Sequence, residues 1–284
     1  MAFKGSTGFG REPHWDLVKR IITESDLVLE ILDSRLVELS RNEEVERLIK
    51  EVGRPMIFVI NKSDLISPEK LKEQVDKLKQ EGEVVFLSAK DRGSAKLLLY
   101  TIKKAFHQYG KREIEVRGQF APKPKYREAV ADIVVGVLGY PNVGKSSIIN
   151  LLAHKKKVKV SKKSGTTRGI HWINVNSEIK ILDSPGVIPL KKEDEIRYGL
   201  IGARDTETLK NPDIVANAII KLFLKENRSA FEEFYKIEMA EDPLDVIDRI
   251  AEKKAFLLKG GIPDENRAVM MIVRDWQQGR LRLW

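Results

Sequence analysis

VINKSDL, residues 59–65, closes an apolar run with Asn61-Lys62-Ser63-Asp64. A carboxylate at Asp64 can accept hydrogen bonds from the N1–H and 2-amino group of guanine. Adenine offers neither donor and would leave that charge unpaired, a large penalty for the wrong base. Asn61 would hold neighbouring loops together and reach the guanine edge, while the stem of Lys62 covers the base face. Ser88-Ala89-Lys90 also ends a short apolar run and would bring the Ala89 N–H to guanine O6. Taken alone, four residues fit equally a strand-to-helix turn capped by Ser63 or Asp64.

The coincidence with other motifs decides between these readings. GYPNVGKSS, residues 139–147, has Gly139, four residues, then Gly144-Lys145-Ser146, after an apolar strand pattern and before a helical one. In that setting the backbone N–H groups of the loop and of the helix start, from Asn142 and Val143 through Ser147, would cradle phosphates. Lys145 would reach the β and γ oxygens and the Ser146 hydroxyl would bind Mg²⁺. DSPG, residues 183–186, ends another strand. Asp183 would hold the Mg²⁺ through water, with Pro185 and Gly186 lying against the γ-phosphate. SGTTRG supplies Thr166 and Thr167 as switch threonines; Thr167, just before Arg168, is the preferred metal-closing residue, with the register left open.

Each motif sits at the C-terminal end of a strand, the edge where open parallel α/β sheets bind ligands. Their order is guanine loop, Ser-Ala-Lys, phosphate loop, switch threonine, Asp-x-x-Gly, which is the ordinary GTPase order cut after DSPG and rejoined elsewhere. Residues 111–128, KREIEVRGQFAPKPKYRE, would make the new connection. Eighteen extended residues span up to roughly 60 Å.

The rest of the chain fits that frame. Short apolar runs at 26–33, 55–60, 84–87 and 132–138 alternate with helical patterns at 42–52, 67–82, 95–110 and 146–154. Two further strands are expected within 170–183. Such alternation predicts a parallel sheet covered on both faces. From about residue 195 the pattern is helical, with helices expected at 212–226 and 242–261, the latter stopped by Gly260-Gly261. The expected fold is α/β: a P-loop GTPase fold, mostly parallel with helices on both faces, circularly permuted, and followed by an all-helical C-terminal domain. The boundary is drawn between 1–194 and 195–284. The first 15 or so residues, with three Gly and a Pro, read as loosely ordered.

Net charge is +9. Residues 190–284 are nearly neutral, whereas 96–130 hold nine basic against three acidic residues, and Lys155–Arg168 hold seven basic and no acidic ones. Clusters of this kind suit a phosphate-rich partner, nucleic acid first, or else a solvated surface. No cysteine is present, which excludes disulfides and thiolate-bound zinc. No apolar run reaches the length of a membrane span, and the N-terminus lacks the apolar core of a signal peptide, so cytoplasm is expected.

With the permuted order, DSR (33–35) after the first strand, PNVGKSS, GTTRG and DSPG, the chain resembles the YlqF/RbgA-type circularly permuted GTPases. The resemblance implies binding of GTP and GDP with Mg²⁺, and slow hydrolysis stimulated by ribosomal particles. It also implies a monomeric factor for assembly of the large ribosomal subunit, with rRNA as partner of the helical C-terminal portion. Val187 follows DSPG where many GTPases carry a water-orienting glutamine, so the missing group must come from elsewhere. The resemblance offers His14, matching the N-terminal histidine of the family, and Asn142, matching an asparagine with which related GTPases bind K⁺. Two other readings compete: an RNA-binding scaffold without useful turnover, and a small-subunit factor. Relatives of the second kind carry an N-terminal OB domain or a Cys-bound zinc element.

Overall fold

A computed structural model describes residues 13–112, 133–153, 170–183, 188 and 194–284. The elements run in the order α1 (Pro13–Glu24), β1 (Leu27–Asp33), α2 (Val37–Ser40), α3 (Glu43–Val52), β2 (Met56–Asn61), α4 (Pro68–Val75), β3 (Glu83–Phe86) and α5 (Ser94–Tyr109). There follow β4 (Ile133–Leu138), α6 (Lys145–Leu152), β5 (His171–Asn174), β6 (Ile179–Asp183) and α7 (Glu195–Leu200). The chain continues with α8 (Pro212–Glu226), α9 (Arg228–Tyr235), α10 (Pro243–Lys253) and α11 (Glu265–Gln277).

One six-stranded sheet has the order β3-β2-β1-β4-β6-β5. The β1–β2, β2–β3, β1–β4 and β4–β6 pairs are parallel, and β5 joins β6 as an antiparallel edge. Central β1 and β4 are buried at every position, as strands covered on both faces must be. Moving 133–183 in front of 27–86 restores the ordinary order in which the phosphate loop comes first, so the circular permutation is written in the sheet itself. Asp26 fastens the ends that permutation leaves. Its carboxylate accepts from the Arg112 N–H and guanidinium at 3.1 and 2.8 Å, and from the Val134 N–H at 2.7 Å.

Side-chain capping explains several helix starts. Asn42 accepts from the Val45 N–H ahead of α3, and Ser67 from the Lys70 N–H ahead of α4. Asp242 and Asp264 do the same for α10 and α11. Two expected helices are shorter than their patterns. The helix expected over 67–82 ends at Val75 and gives way to a tighter 3₁₀ turn at Leu78–Gln80, which puts Val75 and Leu78, three residues apart, on one buried face. The helix expected over 242–261 ends at Lys253, and Ala255 takes a left-handed φ of 52°. Gly260 and Gly261 then act as a turn rather than a cap: at φ 89° and 80° they reverse the chain between Leu257 and Pro263, which form a bridge.

The helical portion has its own apolar cluster, built on Val215, Ile219, Phe223, Phe231, Ile250, Ile272 and Trp276. α7 serves two cores, with Tyr198 in the sheet cluster and Leu200 in the helical one.

Candidate nucleotide site

The loops after β1, β2, β3 and β4 open at the C-terminal edge of the parallel sheet, where β6 also ends. Asn61, 2% exposed at the end of β2, ties three of them together. Its Nδ2 donates to the Val143 carbonyl at 2.7 Å and its Oδ1 accepts from the Ala89 N–H at 3.2 Å. The close approach demands Gly144, where an added Cβ would lie 2.1 Å from Asn61 Nδ2. The guanine-loop, Ser-Ala-Lys and phosphate-loop motifs, separate in sequence, are thus one hydrogen-bonded unit.

Both Asp64 carboxylate oxygens have partners: the Ser88 hydroxyl donates to one at 2.8 Å and the Lys90 ammonium to the other at 2.7 Å. Burial works against the Asp64 charge, but these donors outweigh it and hold the carboxyl below its ordinary range. Asp64 is therefore an ionised acceptor at neutral pH. Lys62 sits in the left-handed region at φ 62°, and its ammonium donates to Asp33 at 2.8 Å.

In the phosphate loop, Lys145 is 7% exposed and its ammonium donates to the Gly139 and Tyr140 carbonyls, each at 2.7 Å. Burial lowers its pKa to about 8, with the Asp183 carboxylate pulling the other way. Asp183 is fully buried at the end of β6, and Ser146 and Ser147 lie in the first turn of α6. A hydroxyl and a carboxylate are hard oxygen donors, the set that suits Mg²⁺ completed by phosphate and water. Among the described residues there is no cluster of three or more His, Cys, Asp or Glu.

Asn142, left-handed at φ 61°, directs its amide away from the loop: Nδ2 donates to the Gly202 carbonyl at 2.8 Å and to Asp205 at 3.0 Å. Thr166, Thr167, Pro185, Gly186 and Val187 lie outside the described residues, as does the connector beyond Arg112. His14 lies in the first turn of α1, with its side chain outside what is described.

Several site neighbours carried no functional signal of their own in the sequence. Gly202 and Asp205 meet Asn142, and Trp276 and Gln277 fasten the segment containing them. The Trp276 indole donates to the Leu200 carbonyl at 2.6 Å, and Gln277 Nε2 to the Gly199 and Arg204 carbonyls, each at 3.0 Å. These are contacts across some 70 residues, and only the fold brings them together.

The sheet order and the assembled edge define a circularly permuted P-loop GTPase. A family model described as 50S ribosome-binding GTPase matches residues 134–253. An uncharacterized GTP-binding protein of Methanocaldococcus jannaschii is 33% identical over 276 residues, covering 97% of this chain and 68% of that one. Ribosome biogenesis GTPase A of Priestia megaterium is 29% identical over 269 residues, covering 92% and 90%. The crystal structure of GNP-bound YlqF from T. maritima shares the fold with a TM-score of 0.62, at 23% identity and 96% coverage of both chains. The chain belongs to the YlqF/RbgA-type GTPases and hydrolyses GTP. Among the described residues no helix is long and apolar enough to cross a membrane.

Proposed function

We propose that this GTPase is a monomeric cytoplasmic factor that acts in assembly of the large ribosomal subunit, binding rRNA more tightly with GTP than with GDP. In this reading residues 1–194 are the GTPase domain and 195–284 an rRNA-binding helical domain. One observation carries the switching: the phosphate loop and the helical portion touch directly, through Asn142 and the 202–205 segment. Support for the ribosomal role comes from relatives named for ribosome biogenesis and from a family model described as 50S ribosome-binding, which spans both parts of the chain. The basic residues of 96–130 and 155–168 offer the charge that rRNA phosphates need.

Within the site, Asp64 selects guanine, Asn61 and the Ala89 N–H complete the base edge, and Ser88 and Lys90 keep Asp64 ionised. Lys145 and the amides of 142–147 hold the phosphates. Ser146, Asp183 and Thr167 would hold Mg²⁺, whose charge offsets that building on the phosphates during hydrolysis. Thr166, Pro185 and Gly186 line the γ-phosphate, and His14 positions the attacking water once a ribosomal particle orders it. For Asn142 we infer a part in K⁺ activation: hydrolysis should run faster in K⁺ than in Na⁺, and equal rates in the two salts would remove that role.

The deciding experiment is co-sedimentation with separated large and small ribosomal subunits, in a GTP analogue and in GDP, over a salt series. Tighter large-subunit binding with the analogue, weakening steeply with salt, is the expected result. Equal binding in both nucleotides, or preference for the small subunit, overturns the proposal.

A further inference from the structure

The DSR tripeptide, Asp33-Ser34-Arg35, is buried behind the guanine loop and each of its side chains has a partner there or beyond it. Asp33 accepts from the Lys62 ammonium at 2.8 Å. Ser34 donates its hydroxyl to the Lys62 carbonyl at 2.7 Å. Lys62 is thus held at both its ends, and it needs holding, because a residue with a Cβ is locally unfavourable at φ 62°, where only glycine moves freely. Its backbone conformation sets where Asn61 before it and Asp64 after it point.

Arg35 carries this arrangement across to the helical portion. Its guanidinium forks onto Asp33 at 3.0 and 2.7 Å, donates to the Trp276 carbonyl at 2.5 Å, and stacks 4.2 Å from the Trp276 ring centre. Burial opposes ionisation of Asp33, but Arg35 and Lys62 outweigh it and hold the carboxyl well below the ordinary range, so Asp33 stays an ionised acceptor. Beside them the Leu283 N–H donates to the Leu65 carbonyl, the residue after Asp64. Trp276 and its neighbour Gln277 also fasten the 199–206 segment that meets the phosphate loop. One turn at the end of α11 is therefore in mechanical contact with both ends of the nucleotide site.

We propose that Ser34 and Arg35 are positioning residues for guanine recognition, and that Arg35 links the guanine loop to α11 so that guanine binding and the setting of the helical portion reinforce each other. The link is reciprocal by thermodynamic necessity. It rests on the assignment of Asn61–Asp64 to guanine, and reaches the helical portion by a route separate from the γ-phosphate switch.

The test uses the full chain with a fluorescently labelled GDP and with inorganic pyrophosphate as competitor, since pyrophosphate reports on the phosphate loop alone. Arg35→Met should weaken GDP by about tenfold or more and Ser34→Ala by about threefold, with pyrophosphate affinity within about twofold of the original. Arg35→Lys, which keeps a cation on Asp33, should recover part of the loss. In the unaltered chain, GDP should slow amide hydrogen exchange at 275–283 more than pyrophosphate does. Three results overturn the inference: GDP affinity unchanged in both Arg35→Met and Ser34→Ala, parallel loss of GDP and pyrophosphate, or no GDP-specific protection of 275–283. An Asp64→Asn chain that still prefers guanine to xanthine nucleotides overturns instead the guanine loop on which the inference rests.

Discussion

Two side chains in the site carry chemistry that titration or substitution can read directly. Lys145 has its pKa lowered to about 8 by burial, partly offset by Asp183. Below that pH the empty site already holds a cation and nucleotide binding needs no proton. Above it the lysine is neutral when the site is empty, yet phosphate favours the charged form, so binding must take up a proton. Affinity for labelled GDP should thus be flat up to about pH 8 and then fall by up to about tenfold per pH unit. Calorimetry in buffers of different ionisation enthalpy should register proton uptake on the falling limb; a flat profile to about pH 9 would show that Lys145 is already charged in the empty site. Asp64 is the other. Its carboxylate accepts from Ser88 and Lys90, so Asp64→Asn should exchange an acceptor pair for one donor and one acceptor. GTP affinity should fall at least about 10²-fold while xanthosine triphosphate gains, as measured by competition against labelled GDP.

At the scale of elements, the end of α11 behaves as a clasp. Gln277 donates twice, to the Gly199 and Arg204 carbonyls, and accepts from the Thr206 hydroxyl at 3.0 Å. Gln277→Ala would leave the polar groups of buried Gly199 and Thr206 and of half-buried Arg204 to find other partners, at a cost of about 1–3 kcal/mol. The urea midpoint should drop accordingly, and amide exchange over 199–206 should quicken well before that of β1 or β4. Uniform acceleration across both would show that the clasp is ordinary packing. The same helix marks where sequence reading stops. The strand ends bearing Asn61, Ser88, Gly139 and Asp183 were legible because each motif is local: an apolar run, a turn, and polar residues at fixed spacing. The partners of Asp33 and Arg35 were not, since a buried arginine looks no different in sequence from a solvated one, and Trp276 stands 241 residues further on. Helix ends failed for a similar reason. Gly260-Gly261 reads as a stop, but the helix has already ended at Lys253, before the left-handed Ala255, and the glycines instead turn the chain between Leu257 and Pro263. Neither α1 nor α11 carries a motif, although both bury apolar stripes, Val18, Ile21 and Ile22 in the first and Val269, Ile272 and Trp276 in the second.

Over the whole molecule, two apolar cores share Leu36 and Leu39 as packing partners. Their boundary is crossed by Arg197, which donates to the Leu39 and Arg41 carbonyls at 2.8 and 2.6 Å, and by Lys70, which pairs with Glu226. Permutation adds a covalent crossing, because DSPG leads directly into the helical portion instead of into the next strand. In the proposed switch nucleotide state would reach the helices along the chain from the γ-phosphate end, through the Asn142 contact with the 202–205 segment, and through Arg35 from the guanine end. A flexible insert after Val187 cuts the first and spares the other two. Lengthening a loop is thermodynamically mild, about 0.6 kcal/mol for each doubling, so the insert should fold and keep GDP affinity within about threefold. What it should lose is the difference between GTP analogue and GDP in co-sedimentation with large subunits, because only the γ-phosphate distinguishes those nucleotides. GDP-specific protection of 275–283 should survive. An insert that keeps the GTP dependence would show that packing, through Asn142 and the 202–205 segment, carries the γ-phosphate signal without help from the chain that joins them.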